Sequence, residues 1–370
     1  MTDPTTTRPA AIVSLRDFLR IGAAAAILGL AALFAAGQDD TSPDALIGYT
    51  EFRTDLPGGR HANVKTRRAV VVKADGTGRR VLAEELTREA GYSTQFVGWS
   101  PDGKAARLSC DWKSEEVGKW EEEHKTFRPI GDGVRHDAYL VDLASGKATK
   151  QTPVEDKKKS ELIKNLVHGR SLSPDGKRSA FEDPGYRLYL ADGDGSNAKQ
   201  VKTGLRFHLM PSWSPDGSWV LFVAGEHYDC HPHVLKADGT GLKKLASRNG
   251  YRGVIDILDV YDFHDGSSDL PVWAADSKSV FYTAKVGRNV ELFRVTLDGK
   301  SEQLTETPAG SMHYHPAASP DGKWLAYGSK RDGVRQLYVM RLNDKKEHRI
   351  TDLAKGRAAM WPHWQPRAMP

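Results

Sequence analysis

Two cysteines in 370 residues rule out a disulfide framework. Cys110 and Cys230 fall in repeats that are not sequence neighbours, so they read as two separate thiols, even in a compartment that permits oxidation. Beyond residue 40 the chain lacks long apolar stretches of helical period, which turns the reading toward many short strands separated by turns. A strong excess of one charge is missing as well. The formal net charge is +5, with Lys and Arg interleaved among Asp and Glu, so the concentrated basic face of a nucleic-acid binder is not present. No G-x-S-x-G elbow, HExxH, paired CxxC or glycine-rich phosphate loop occurs, and no strand-helix alternation remains after the last repeat to form a hydrolase domain. These absences turn the reading away from an enzyme.

What the chain does have is glycine, proline, tryptophan and a repeat. Ser-Pro-Asp-Gly occurs at Ser100–Gly103, Ser173–Gly176, Ser214–Gly217 and Ser319–Gly322, twice directly after a Trp (Trp99 and Trp213). Trp273-Ala274-Ala275-Asp276-Ser277 is a worn copy, and Trp364-Gln365-Pro366 is a last one cut short. Regular neighbours are about 41 to 46 residues apart, a period that marks one repeat domain instead of the two or three that length would suggest.

Met312 to Ile350 shows the unit: an inner strand at His315–Ala318, a turn, a strand at Trp324–Tyr327, an Asp332-Gly333 turn, a strand at Gln336–Met340 and an outer strand around His348–Ile350. Asp-Gly tolerates the positive φ of tight hairpins, and the preceding Pro presets φ near −65°. Four short antiparallel strands per repeat make a propeller blade. The string Lys73-Ala74-Asp75-Gly76-Thr77-Gly78 recurs at Lys236–Gly241, and Asp192-Gly193-Asp194-Gly195-Ser196 occupies the same place, so this acidic string reads as a hairpin turn and not as a calcium loop. Ile47–Arg53 resembles a second strand with no inner strand before it, and Ala359–Pro366 an inner strand with nothing after it. The two fragments complement each other. The fold class expected is all-β: a six-bladed propeller whose C-terminal strand closes the ring beside the N-terminal strands.

Residues 1–37 differ from the rest, because Arg8, Arg16 and Arg20 precede an uncharged apolar run from Ile21 to Ala36. That run is short of the roughly 20 residues a spanning helix needs, and Ala35-Ala36-Gly37 offers small residues for cleavage, so an export signal is expected, with a membrane anchor as the alternative. A short linker at 38–46 and the propeller at 47–366 follow, which places the protein in the periplasm. Two insertions lengthen the repeat, at 111–135 and 248–268, while the Lys- and Glu-rich stretch 155–164 reads as a solvated loop. The second insertion carries Tyr251, Ile255, Ile257, Leu258, Tyr261 and Phe263, too apolar for a plain loop, and is expected to pack across a mouth or face of the ring. Tyr251, Tyr261 and Phe263, with Trp361 at a strand end, are the candidate partner-binding residues.

Ser-Pro-Asp-Gly-Lys before an apolar strand, Ser329-Lys330-Arg331-Asp332-Gly333, and then Gln336-Leu337-Tyr338-Val339-Met340 resemble the TolB-type propeller repeat over nearly all the chain after residue 45. TolB proteins carry an α/β domain before the propeller, and only a few residues separate the apparent signal from the first blade strand here, so a Tol-Pal role is not expected. Similar blades occur in prolyl-oligopeptidase-type peptidases and in oligogalacturonate lyases. Likeness of fold cannot choose among them.

Counted back from each repeat's Trp position, His208 and His313 share one register, with His168 and His315 close by. His227, His231 and His233 with Asp229 follow the next strand after Trp213, and imidazoles converging at a channel mouth could hold a divalent ion with a position open. The lyase resemblance implies a metal such as Mn or Zn held by His and Gln. His313-Tyr314-His315 matches an H-x-H element of that kind, although Gly310 stands where the Gln is expected. The candidate ligands are His208, His227, His313 and His315; the alternative is a set of rings hydrogen-bonded within the channel as a feature of the repeat. Two functions follow: a monomeric binding scaffold without a cofactor for an envelope or secreted protein or an oligosaccharide, or a metal-dependent lyase acting on acidic oligosaccharides.

Overall fold

The computed structural model describes residues 44–127, 132–151, 170–226, 229–255, 258–261 and 269–366. The expected signal at 1–37, the stretch 155–164, His168, His227 and Phe263 lie outside them. Among the described residues no helix is long and apolar enough to cross a membrane.

Six sheets of four antiparallel strands form the propeller. Blade 1 draws on both ends of the chain, with Arg357–Trp364 as inner strand and Leu46–Arg53, Arg68–Lys73 and Arg80–Val81 outside it. Pairing of Arg53 with Arg357 through to Ile47 with Trp364 closes the ring. Blade 2 holds Tyr92–Trp99, Ala105–Lys113, Val134–Asp142 and Ala148–Gln151, and blade 3 holds Ser171–Leu172, Arg178–Glu182, Leu188–Asp192 and Lys199–Gln200. Phe207–Trp213, Trp219–Glu226, Asp229–Lys236 and Lys243–Lys244 make blade 4. Blade 5 is Val272–Trp273, Ser279–Val286, Asn289–Thr296 and Ser301–Gln303; blade 6 is His313–Ala318, Trp324–Ser329, Gln336–Arg341 and Glu347–Arg349.

The recurring tetrapeptide is a self-contained turn. In each full copy the Ser hydroxyl donates to the Asp carboxylate, at 2.6 to 2.7 Å, and accepts from the amide five residues on, at 2.9 to 3.0 Å. The Gly sits at φ between 69° and 72°, and Ser277 takes the same left-handed place at 57° in the worn copy. The register Trp ties neighbouring blades together. Trp99, Trp213, Trp273 and Trp364 each donate the indole N–H to a carbonyl one residue before the Trp position of the preceding blade: His363, Ser171, Ser212 and Ala317. Each indole thus fills the space between blades and satisfies an inner-strand acceptor.

Alternation along the strands supplies the core, since successive side chains point to opposite neighbours. Ile47, Tyr49, Val70 and Val72 pack with Trp324, Leu337 and Val339 of blade 6, whereas Ala69 and Val71 pack with Phe96, Ala106 and Leu108 of blade 2. Cys110 and Cys230 are both buried and free, as two separate thiols.

Antiparallel order also fixes where the insertions emerge. Each second-to-third-strand loop and each link to the next blade opens on one face, opposite the Ser-Pro-Asp-Gly turns. Helix α1 (Gly59–Val64) and helix α2 (Glu115–His124) occupy two such loops, and the connection from Lys244 to Val272 is one of the links. The first insertion is shorter than the sequence implied, because Asp111, Trp112 and Lys113 still pair with His136, Arg135 and Val134 inside blade 2. Ser114 then caps α2, its hydroxyl accepting from Val117 N at 3.2 Å, with Glu115 and Glu116 in the first turn.

Candidate functional site at the channel mouth

The inner strands of blades 4, 6 and 1 share a bulge three residues before the Trp position. Met210, His315 and Trp361 stand there at φ of 51°, 50° and 55°, each followed by a Pro. The ladder skips between Leu209 and Ser212, between Tyr314 and Ala317, and opposite Gly48 and Thr50. A bulge on the channel edge accommodates a Pro that could not donate to a ladder, and it re-aims the side chain before it. The register shared by these residues is therefore backbone geometry.

Above this rim the connection between blades 4 and 5 reaches across to other blades. Asp259 accepts from the Thr54 hydroxyl at 2.6 Å and donates its amide to Thr54 O at 2.8 Å, which ties it to blade 1. Arg335, buried in blade 6, reaches the same carboxylate at 3.2 Å. Burial pushes the Asp259 carboxyl up, but the Thr54 hydroxyl and the Arg335 and Lys330 charges outweigh it and hold the group below its ordinary value. Ile255 and Leu258 pack among Phe52, Tyr314, Ala358 and Met360 in one buried apolar cluster. Tyr261 is 65% exposed, with the Lys125 ammonium at the end of α2 5.5 Å from its ring centre.

Asp269 pins the other end of the connection. Its side chain is fully buried and accepts from Thr283 at 2.6 Å, from Tyr251 at 3.0 Å and from the amide of His315 at 2.9 Å. Burial, with the Asp269 charge beside it, pushes the Tyr251 phenol well up. Arg248, also fully buried, donates to Asp269 O at 2.6 Å. Nothing in composition marked Asp269, Arg248, Asp259 or Arg335. A register signal existed for Asp269, which stands four residues before Trp273 where the other blades have Leu209, Tyr314 and Met360.

The candidate residues are dispersed over this framework. His208 has both ring nitrogens engaged, Nδ1 with Tyr186 O at 2.7 Å and Nε2 with Thr203 at 2.5 Å, and burial lowers its pKa. His313 is fully buried in blade 6, 3.2 Å from Glu291 and edge-on to Tyr327. His315 lies between the rings of Tyr314 and Trp361, its Nδ1 facing Trp361 N at 3.4 Å. His231 sits 3.3 Å from Asp229. Among the described residues no three His, Cys, Asp or Glu side chains are grouped where one metal ion could reach them all. Tyr251 is turned inward and bonded to Asp269, Trp361 stacks on Phe52 at 6.1 Å, and Tyr261 faces solvent. Chemically this end of the inner strands offers a buried apolar cluster pinned by Asp259 and Asp269, with an exposed aromatic beside it.

The sequence profile of the TolB β-propeller domain matches residues 175–369, more than half of the chain. The chain belongs to the TolB β-propeller family. A solved TolB from Acinetobacter baumannii superposes with a TM-score of 0.53 at 16% identity, covering 87% of this chain and 67% of that one, which is likeness of fold alone. An uncharacterised protein of Agrobacterium fabrum is 29% identical over 206 residues, 54% of this chain; the matched region spans 63% of that relative's length. An oligogalacturonide lyase of Pectobacterium atrosepticum is 23% identical over 286 residues, covering 73% of this chain and 67% of the lyase.

Proposed function

We propose that this TolB-like propeller is an exported binding module of the periplasm whose insertion-bearing face receives an envelope or secreted protein. One observation carries the reading. Both helices and the long connection open on a single face, where Tyr261 is exposed beside Lys125, while the opposite face ends in tight self-bonded turns. Loops on a rigid scaffold are where binding residues concentrate, and an aromatic beside a cation suits a protein surface.

A photo-crosslinking residue placed at Tyr261 in the native host is expected to capture a discrete protein, and the same residue at Lys177, on a Ser-Pro-Asp-Gly turn, to capture none. Equal labelling at both positions, or none at Tyr261, overturns the reading. Fractionation and N-terminal sequencing check export, with the mature chain expected to begin near Gly37.

The match to the lyase supports a second reading, a metal-dependent lyase acting on acidic oligosaccharides at the channel mouth. Its test is the rise in absorbance from unsaturated products of oligogalacturonate with and without added manganese. Metal-dependent product formation lost on His313→Ala would establish it, and no product under either condition would remove it.

A further inference from the structure

Arg248-Asn249-Gly250-Tyr251 is the turn by which the chain leaves blade 4 for the connection to blade 5. The Tyr251 amide donates to Arg248 O at 2.9 Å, and Asn249 and Gly250 stand between them at φ of 51° and 79°. These are the two left-handed positions of a tight turn, which Asn and Gly supply at little steric cost. The outer pair is anchored in the interior. Arg248 is fully buried and donates to Asp269 O at 2.6 Å, while Tyr251, also buried, donates its hydroxyl to the Asp269 carboxylate at 3.0 Å. The inner pair, Asn249 and Gly250, is exposed.

Asparagine before glycine carries a chemistry of its own. The backbone nitrogen of the glycine gives up its proton and attacks the side-chain Cγ, the new C–N bond closes a five-membered succinimide, and the Cγ–Nδ2 bond breaks to release ammonia. Water then adds to one of the two ring carbonyls, and the ring opens to aspartate or to isoaspartate, whose main chain runs through Cβ. No oxidant or reductant is required. Asn249 is the one Asn of the chain followed by Gly, so no side chain on the next residue obstructs the attack. A Cβ at Gly250 would meet nothing within 4 Å, which leaves the peptide room to swing. Among the described residues the Gly250 amide has no hydrogen-bond partner, and the Asn249 carboxamide makes one long contact, from Nδ2 to Lys285 O at 3.4 Å. Asn63 and Asn289, in contrast, are each held by three short hydrogen bonds or more and precede a Val.

We propose that Asn249 is a modification site, deamidating spontaneously through Gly250 in the folded protein, and that the isoaspartate formed there loosens the connection that Asp269 pins. Isoaspartate inserts one extra main-chain atom between Arg248 and Tyr251, the two residues that must both reach Asp269. Aspartate adds a charge on the exposed side of the turn without that atom. The Tyr251-to-Arg248 hydrogen bond opposes the rotation that carries the Gly250 nitrogen onto Cγ, so the folded protein reacts more slowly than the unfolded chain, yet faster at Asn249 than at its other asparagines. This inference stands apart from the proposed partner face, since the reaction needs only water and proceeds whether or not a protein docks.

The intact protein is held at 37 °C at pH 7 and at pH 8.5, in ordinary water and in water enriched in oxygen-18, and peptides spanning residues 249 and 250 are followed by mass spectrometry. A gain of one mass unit at Asn249 is expected at least tenfold faster than at the exposed Asn197, which precedes Ala, with one oxygen taken from the solvent per product. The higher pH should speed it, because the amide nitrogen attacks as its anion. Electron-transfer fragmentation separates isoaspartate from aspartate, and amide exchange at residues 251–255 should quicken as isoaspartate accumulates but stay unchanged in Asn249→Asp. Asn249→Gln, whose longer side chain closes the ring far less readily, should keep both its mass and its exchange. Asn249 left intact after weeks at pH 8.5, while the urea-unfolded chain deamidates there, overturns the proposal, as does a rate no greater than that of Asn197. Exchange unchanged in the isoaspartate form overturns the loosening.

Discussion

Replacing Asp269 with Ala tests whether one buried carboxylate holds the connection between blades 4 and 5 to blades 5 and 6. Three donors converge on it, from Tyr251 in the connection, Thr283 in blade 5 and the His315 amide in blade 6, and all three are buried. Removing the acceptor leaves the Thr283 hydroxyl and the His315 amide unmet at about 1–3 kcal/mol each, while the Tyr251 hydroxyl keeps only its long bond to Val254 O at 3.4 Å, and the total is expected near 3–6 kcal/mol. Asp269→Asn keeps one oxygen for the Tyr251 and Thr283 hydroxyls but turns an NH₂ toward the His315 N–H, so about 1–3 kcal/mol is expected from that single mismatch. Urea unfolding followed by tryptophan fluorescence reads the total, and amide exchange at Tyr251–Ile255 and Leu258–Asp259 reads loosening of the connection. Asp269→Ala within about 1 kcal/mol of the parent, with unchanged exchange in the connection, would refute the reasoning.

Trp213→Phe should cost about 1–3 kcal/mol, chiefly from leaving the Ser171 carbonyl without its indole donor, and unfolding in urea checks this. Acid should destabilise the fold in two stages: His61, held neutral down to about 4, withdraws its contribution as pH falls from about 6.5 to 4 because the unfolded chain binds the extra proton. Glu291 adds a second loss between about 4.5 and 2, since hydrogen bonds from His313, Thr305, Thr307 and Asn289 outweigh burial and hold it at about 2; thermal melts across pH should show both steps. Neither thiol should react with Ellman's reagent before unfolding, because burial pushes Cys110 to about 12 and Cys230 to about 11; stoichiometric labelling of native protein would contradict this. Gly118→Ala should shift α2 off the His61 ring and lower the melting temperature.

The blade pattern was legible because it is local. Ser-Pro-Asp-Gly closes on itself through Ser and Asp side chains a few residues apart, and alternation of apolar residues needs only a strand to become two packed faces. The two incomplete ends carried ring closure in the same way, since a missing inner strand and a spare one can satisfy each other's edges. The helix in the first insertion left a trace in Ser114-Glu115-Glu116, a cap followed by first-turn acids, which is a signal as local as the turns.

Distances between residues far apart in the chain were decided by the tertiary structure alone. Sequence register aligned His208 with His313, yet the ring puts blade 5 between their blades, and each imidazole takes its own local partners. The apolar insertion was visible as apolar, but only folding showed that Tyr251 turns inward to Asp269 while Tyr261 stays in solvent. Nothing in the sequence marks His61, whose ring is covered by α2, more than fifty residues on, through Gly118. By itself the sequence determined the unit and how many units there are, because turn chemistry and strand alternation are written within a few residues. The placement of charge, burial and unmet donors on one face depended on which units the closed ring brings together.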